Sequence, residues 1–388
     1  MTERRIYLDY AATTPVDPNV AAVMRECLES DGVFANPSSS HALGKRARTR
    51  VEEARAMIAA RVGAATETIS FTSGATESDN LAIQGTMLAN RHKGQHLITS
   101  ITEHKAVLDT AIALEKQGFD VTYLTCGDDG RISLDQVADA IRNDTTLVSL
   151  MHVNNETGVL QDIGAIGELC RSRGVLVHVD AAQSIGKVPV PLDEWEVDVV
   201  ALTAHKVYGP KGIGALYARP GTKLMPLLHG GAQVGGDRAG TLATHQIVGM
   251  GRAYELADTA TEAPKLAALR DRLWSGLSAI DGVRLNGHPT ECSPHLLNVA
   301  FSGVDGESLR LGIADIAVSA GAACDSATPE ASHVLSALGL SNTLAASSQR
   351  FSVGRFTSEI EIDYVIRRVT AEVARLRGLA NGMPDWGQ

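Results

Sequence analysis

A chain of 388 residues, 44% hydrophobic and 21% charged, can bury a large core and at this length suggests two globular domains rather than a disordered polymer. Its formal net charge of −10 argues against a general nucleic-acid binder, whose affinity comes from neutralising phosphates with Lys and Arg. No apolar run reaches the ~18 residues of a membrane-spanning helix, and Met1–Ile6 leads into Tyr7-Leu8-Asp9 without a signal core, so neither membrane insertion nor export is expected.

From residue 16 to 255 helical and strand-like segments alternate. Val51 to Val62 has helical spacing and many alanines. Thr68 to Thr72 reads as a short strand running into Ser73-Gly74-Ala75-Thr76, with a helix over Glu77 to Leu88 behind it. His96 to Ser100 is a second strand, ending near Glu103-His104, and Val107 to Lys116 is the helix that follows. Val121 to Leu124, Leu147 to Val153, Val175 to Val179 and Val197 to Leu202 continue the series of short apolar runs. Such runs alternating with helices imply right-handed crossovers and a mainly parallel sheet covered on both faces. The texture changes at residue 256. An amphipathic helix over Pro264 to Ile280 precedes strands at Val283 to Leu285 and Leu297 to Phe301, then Ser308 to Ile313 and a loop around Cys324. A helix-like stretch over Ala331 to Leu338, a strand at Arg350 to Val353 and a helix from Ile360 to Leu376 complete a smaller α+β unit. The expected division is therefore 16–255 for the larger domain, and 1–15 with 256–388 for the smaller one that carries the cysteine loop.

In α/β sheets of this kind ligands bind at the carboxyl ends of the strands, and the polar clusters fall there. One apolar run ends in Asp180-Ala181-Ala182-Gln183 and the next leads into Thr203-Ala204-His205-Lys206. A carboxylate and a lysine placed so can face one ligand from two sides, the arrangement pyridoxal phosphate needs: the amine forms a Schiff base and the aspartate keeps the ring nitrogen protonated. Ser73-Gly74-Ala75-Thr76, at a strand-to-helix turn, suits an anion, and Thr203, His205 and Thr241 add donors for one phosphate. His104 could stack on a ring and shuttle protons, Asn155 and Gln183 could hold a phenolic oxygen, and Arg350 could offer its fork to a carboxylate. Taken singly each has a plainer reading: a helix cap, a core histidine, turn-capping amides, a surface ion pair. Cys324 sits among small residues, Gly321 to Ala327, which suit a loop carrying an exposed thiol. Asp325 beside it opposes thiolate formation. The five cysteines are scattered, odd in number and form no CxxC pair, which fits a reducing cytosol without a structural metal or disulfide framework.

These residues, in this order, resemble the cysteine desulfurases, fold type I pyridoxal-phosphate enzymes of the class V aminotransferase group, and within them the housekeeping type serving iron–sulfur cluster assembly. The likeness runs from Tyr7-Leu8-Asp9 to about Leu376 and is most specific at Phe71 to Ile83, Thr102 to Thr110, Met151 to Glu156, His205 to Leu216, His245 to Gly251 and Arg350 to Thr357. It implies an α/β fold with a mainly parallel seven-stranded sheet flanked by helices, plus a smaller α+β C-terminal domain. It further implies that Lys206 carries the Schiff base, Asp180 pairs with the pyridine nitrogen, Gln183 meets the phenolic oxygen and His104 stacks on the ring. Ala75, Thr76, Thr203 and His205 would hold the phosphate, with Thr241 reaching in from the other subunit of a homodimer. Asn155 and Arg350 would bind L-cysteine, and Cys324 would take its sulfur as a persulfide, leaving L-alanine. No resident metal is implied, though Cys324 could transiently ligate an iron–sulfur cluster. Iron–sulfur scaffolds and transfer-RNA thiolation proteins are the implied acceptors, in the cytoplasm, with no direct contact to nucleic acid or membrane. The chain departs from the family pattern at Thr203 and Ala204, where serine and glycine are usual, at Ala322 and Asp325 around the thiol, at Val234 in the glycine loop, and in a tail shortened to Pro384–Gln388. Competing expectations are a selenocysteine lyase or another class V aminotransferase, and a sulfur carrier without turnover; alanine rather than pyruvate as product separates a desulfurase from a transaminase.

Overall fold

A computed structural model of the chain describes residues 5–230, 238–320 and 332–382. Its strands, in chain order, are β1 (Ile6–Tyr7), β2 (Ile69–Thr72), β3 (His96–Ser100), β4 (Asp120–Leu124), β5 (Thr145–Met151), β6 (Leu176–Asp180), β7 (Val199–Thr203), β8 (Gly214–Ala218), β9 (Val283–Leu285), β10 (Leu296–Phe301), β11 (Ile316–Ala317), β12 (Ser319–Ala320) and β13 (Ser348–Ser352).

Seven of these form one sheet in the order β2-β8-β7-β6-β5-β3-β4. All its pairings are parallel except those of β8, which runs antiparallel to both β2 and β7. Every residue of β5 and of β7 is buried, because helices cover both faces, and that is why these strands read as largely apolar runs. The expected α/β class and mainly parallel seven-stranded sheet are present. The one strand that apolar runs did not reveal is β8, whose Gly214-Ala215 start follows a glycine-rich turn.

The smaller sheet is antiparallel, β12-β13-β10-β9. Two long helices cover it, Thr259–Leu277 and Glu359–Gly382. Leu266, Leu269, Leu273 and Leu277 on the first, and Val365, Val369 and Val373 on the second, repeat every three or four residues and pack a second core with Phe301 and Phe351. The first of these helices starts five residues before the expected Pro264. Asp258 caps it by accepting from the Thr261 N–H, and Pro264 lies early enough that its missing N–H forfeits a single bond. At the chain start, β1 pairs with β11 and Asp9 bridges Ser352, so the N-terminal strand joins the smaller core rather than the larger sheet.

Candidate active site

A cavity of about 610 Å³ opens at the carboxyl ends of the parallel strands. The parallel direction of β2, β3, β5, β6 and β7 puts all their carboxyl ends on this edge. Asp180 is the last residue of β6, and His205 and Lys206 lie in the turn after β7. Ala75 and Thr76 open the helix Ala75–Ala89 directly behind β2, and His104 caps the helix Lys105–Glu115 behind β3. Asn155 follows β5, and Arg350 arrives from β13 of the smaller sheet. With Gln183 and Thr203, all these residues line the one cavity.

Lys206 Nζ donates to the carbonyls of Ala11 and Ala12, the latter at 2.9 Å, so the N-terminal segment crosses over the lysine. Below it the carbonyl of Lys206 accepts from Lys187 Nζ. Burial, reinforced by the charge of Lys206, pushes the Lys187 amine down to about 7. His205 is pushed down to about 4 by burial and then by Lys206 and Lys211. It is therefore uncharged at neutral pH and offers a hydrogen-bonding ring, with Nδ1 3.1 Å from Thr13 Oγ1. His104 Nδ1 accepts from the Ala106 N–H at 3.1 Å, which fixes the ring at the cavity wall.

Burial raises the pKa of Asp180, opposed by a 2.8 Å hydrogen bond from the Ala182 N–H and by the charges of His104 and Lys206. Burial likewise pushes Glu156 up to about 7, against a 2.5 Å hydrogen bond from Ser332 Oγ. Burial works in the same direction on Glu77, but Arg238, 2.8 Å away, and the Ser73 N–H hold that carboxyl below its ordinary value.

The residues present fit a phosphate-bearing pyridine. The helix Ala75–Ala89 starts at Gly74 with no side-chain cap, which leaves its positive end to an anion. Among the buried polar atoms on the cavity, Gln183 Oε1, Asn155 Oδ1 and Thr203 Oγ1 have no hydrogen-bond partner. Groups left so are costly unless a ligand meets them. Asp180 adds a buried carboxylate to the lining, the group a protonated ring nitrogen would need.

Two expected residues fall outside what the described part of a single chain places on the cavity. Thr241 is exposed and stands outside the cavity formed by its own chain. Cys324 lies outside the described residues, as do Val234, Ala322, Asp325 and the tail Pro384–Gln388. The described residues flanking the cysteine segment are tied beside the site: Ser319 pairs with Arg350, and Ser332 bonds Glu156. Sequence reasoning overlooked the backbone of Ala11 and Ala12, the wall residue Asp79 and the buried Lys187. Asp79 was within reach, since it lies four residues along the helix from Ala75 and so on the same face.

The chain matches the family model for aminotransferase class-V over residues 6–365. It is 54% identical to the cysteine desulfurase IscS of Proteus mirabilis over 386 residues, which is 98% of this chain and 95% of that one. Among solved structures it is similar to a NifS-like protein, with a TM-score of 0.88 and 35% identity over 96% of this chain and 100% of the other. It is also similar to SspA in complex with cysteine, with a TM-score of 0.82 and 40% identity over 91% of this chain and 100% of the other.

Proposed function

We propose, from the premise that this chain belongs to the class-V aminotransferase family and within it to the cysteine desulfurases, that it converts L-cysteine to L-alanine and passes the sulfur to Cys324. The observation that carries this reading is the meeting of Lys206 and Asp180, from the ends of adjacent strands, on one cavity with the unpartnered side-chain oxygens of Gln183, Asn155 and Thr203.

Pyridoxal 5′-phosphate, which the family implies, would supply an electron sink conjugated with the substrate's Cα through its amino nitrogen. Ala75, Thr76, Thr203 and His205 would hold its phosphate, Gln183 and Asn155 its phenolic oxygen and Asp180 the proton on its ring nitrogen, with His104 against the ring. Lys206 Nζ takes the Cα proton of cysteine. Arg350 and Asn155 hold the substrate carboxylate and so aim Cα at that amine. Cys324, as thiolate, attacks the substrate sulfur: the S–S bond forms as the Cβ–S bond breaks, the electron pair stays on the carbon side, protonation at Cβ makes the methyl group, and return of a proton from Lys206 to Cα completes alanine. His104 is the proton carrier between the two thiols.

Several finer features belong to the same proposal. Thr241, exposed on its own chain, serves the phosphate of a second subunit in a homodimer. Iron–sulfur scaffolds are the foremost sulfur acceptors, as the IscS relatives suggest. Residues 16–255 form the cofactor-binding domain, and 1–15 with 256–388 the smaller one, a division supported by the pairing of Ile6–Tyr7 with Ile316–Ala317. The site lies in the cytosol, a reading supported by the free Cys27, Cys126, Cys170 and Cys292. Among the described residues no helix is long and apolar enough to cross a membrane.

Incubation with L-cysteine and a thiol reductant tests the function. Alanine and sulfide should accumulate in equal amounts, and Cys324→Ala should still bind cysteine while releasing little sulfide. Pyruvate in place of alanine, or wild-type sulfide release by the variant, would overturn the assignment.

A further inference from the structure

A buried polar row lies behind the cavity floor, and the chemistry above does not use it. His178 and Asp180 are two residues apart on β6 and so point to the same face of the sheet. The helix Ala75–Ala89 packs on that strand and carries Asp79, which lines the cavity at 1% exposure. Neither carboxyl oxygen of Asp79 makes a hydrogen bond. His178 Nε2, also without a hydrogen bond, is 3.4 Å from Asp79 Oδ1. The other ring nitrogen, Nδ1, is 2.8 Å from Ser149 Oγ, directly across on β5. Thr99 on β3 extends the row by donating to the Ser149 carbonyl at 2.9 Å.

One proton in the gap between Asp79 and His178 would partner an atom on each side. If it belongs to His178, a second carboxylate charge sits near Asp180 and Glu103, with burial and like charge both against it. If it belongs to Asp79, no second charge arises. The favourable contacts go to Asp180 instead, from the Ala182 N–H, His104 and Lys206.

We propose that Asp79 is a positioning residue: a neutral acid that donates its proton to His178 Nε2 and leaves Asp180 as the ionised member of the pair, free to hold a ring nitrogen. In this arrangement His178 carries its own hydrogen on Nδ1 and gives it to Ser149 Oγ, which fixes the tautomer. The function of the pair rests on the reading of Asp180 as partner of the pyridine nitrogen; the protonation of Asp79 does not.

Carboxyl-carbon NMR of apoprotein labelled with ¹³C in its aspartate side chains tests the proton without any cofactor. One signal, missing from Asp79→Asn, should keep the shift of a protonated acid around pH 7, far above the ordinary aspartate range. An ionised signal for Asp79 at that pH overturns the proposal. In protein loaded with pyridoxal phosphate, Asp79→Asn retains a neutral donor, so the apparent pKa of the bound chromophore should stay within about 0.3 unit of wild type. Had Asp79 been ionised, losing its charge would lower that value by about one unit or more. Asp79→Leu, which has no donor, should raise the cofactor dissociation constant about tenfold, with Asp79→Asn restoring wild-type binding. Equal binding in all three proteins, or equal loss in both variants, overturns the positioning role. A wild-type protein that takes up no pyridoxal phosphate would instead overturn the cofactor reading and leave the NMR result standing.

Discussion

Arg350 Nη2 lies 2.9 Å from Asp9 Oδ1, so the arginine assigned to the substrate carboxylate already has a carboxylate at its side. Its Nη1 donates to the Asn155 carbonyl at 2.8 Å, while Nε makes no hydrogen bond. The guanidinium is 2% exposed, so these two contacts set its plane and keep its charge compensated. Removing the carboxylate in Asp9→Ala deletes one charge-assisted bond of about 1.5–3 kcal/mol and should raise KM for cysteine roughly 10- to 100-fold. Steady-state kinetics with an unchanged KM would show that Asp9 does not orient the arginine.

Lys206→Ala should lose at least about 10²-fold in turnover, the lower bound for losing a general base. Borohydride should fix the vitamin to the wild-type protein at position 206 and leave the variant unmodified. Peptide mapping after reduction checks this, and attachment at Lys187 would move the chemistry one layer down.

A Cβ at position 214 would come within 2.6 Å of the Leu202 carbonyl oxygen and 2.7 Å of Gly74 Cα. Gly214→Ala therefore wedges β8 away from β7 and from the turn that starts the helix Ala75–Ala89, proposed to seat the phosphate. Overpacking of this kind costs about 1–3 kcal/mol. A lowered melting temperature together with faster loss of cofactor on dialysis is expected; unchanged retention would mean that Gly74 does not shape the phosphate seat.

Burial pushes Glu156 up to about 7 from 4.5. Its folded-state pKa is thus above the unfolded one, and the folded protein holds the proton longer. The resulting stability is complete below about pH 4.5 and drains away as pH rises through about 7, by on the order of 3 kcal/mol. Glu156→Gln stays neutral throughout, so the melting-temperature difference between wild type and variant should slope downward with pH across that window. A flat difference would place an ionised Glu156 in the fold.

The central strands were legible because β5 and β7 are buried on both faces, which writes their positions as apolar runs. Asp180 and Lys206 stood out for the opposite reason, as polar residues where such runs stop. The strand β8 carried no such mark: Gly214-Ala215 has little apolar weight, and its identity comes from pairing with β2 and β7. The helix Thr244–Leu256 was masked by Gly249 and Gly251, residues poor in helix propensity that are present because Met24 and Ala54 approach too closely for a side chain. Asp79 and His178 are far apart in sequence, and no local pattern announces a pair that only the packing of a helix on β6 creates. The carbonyls of Ala11 and Ala12 leave no trace at all, since every residue has one.

The cavity takes one wall from Ala11 and another from Arg350, close to opposite ends of the chain. On a translating ribosome the whole larger sheet, with Lys206 at its rim, emerges well before β13 has been synthesised. Selection of the amino acid therefore has to wait until β13 has emerged and joined the cavity. A chain truncated ahead of β13 would present a reactive amine to passing aldehydes while lacking the grip that chooses an amino acid.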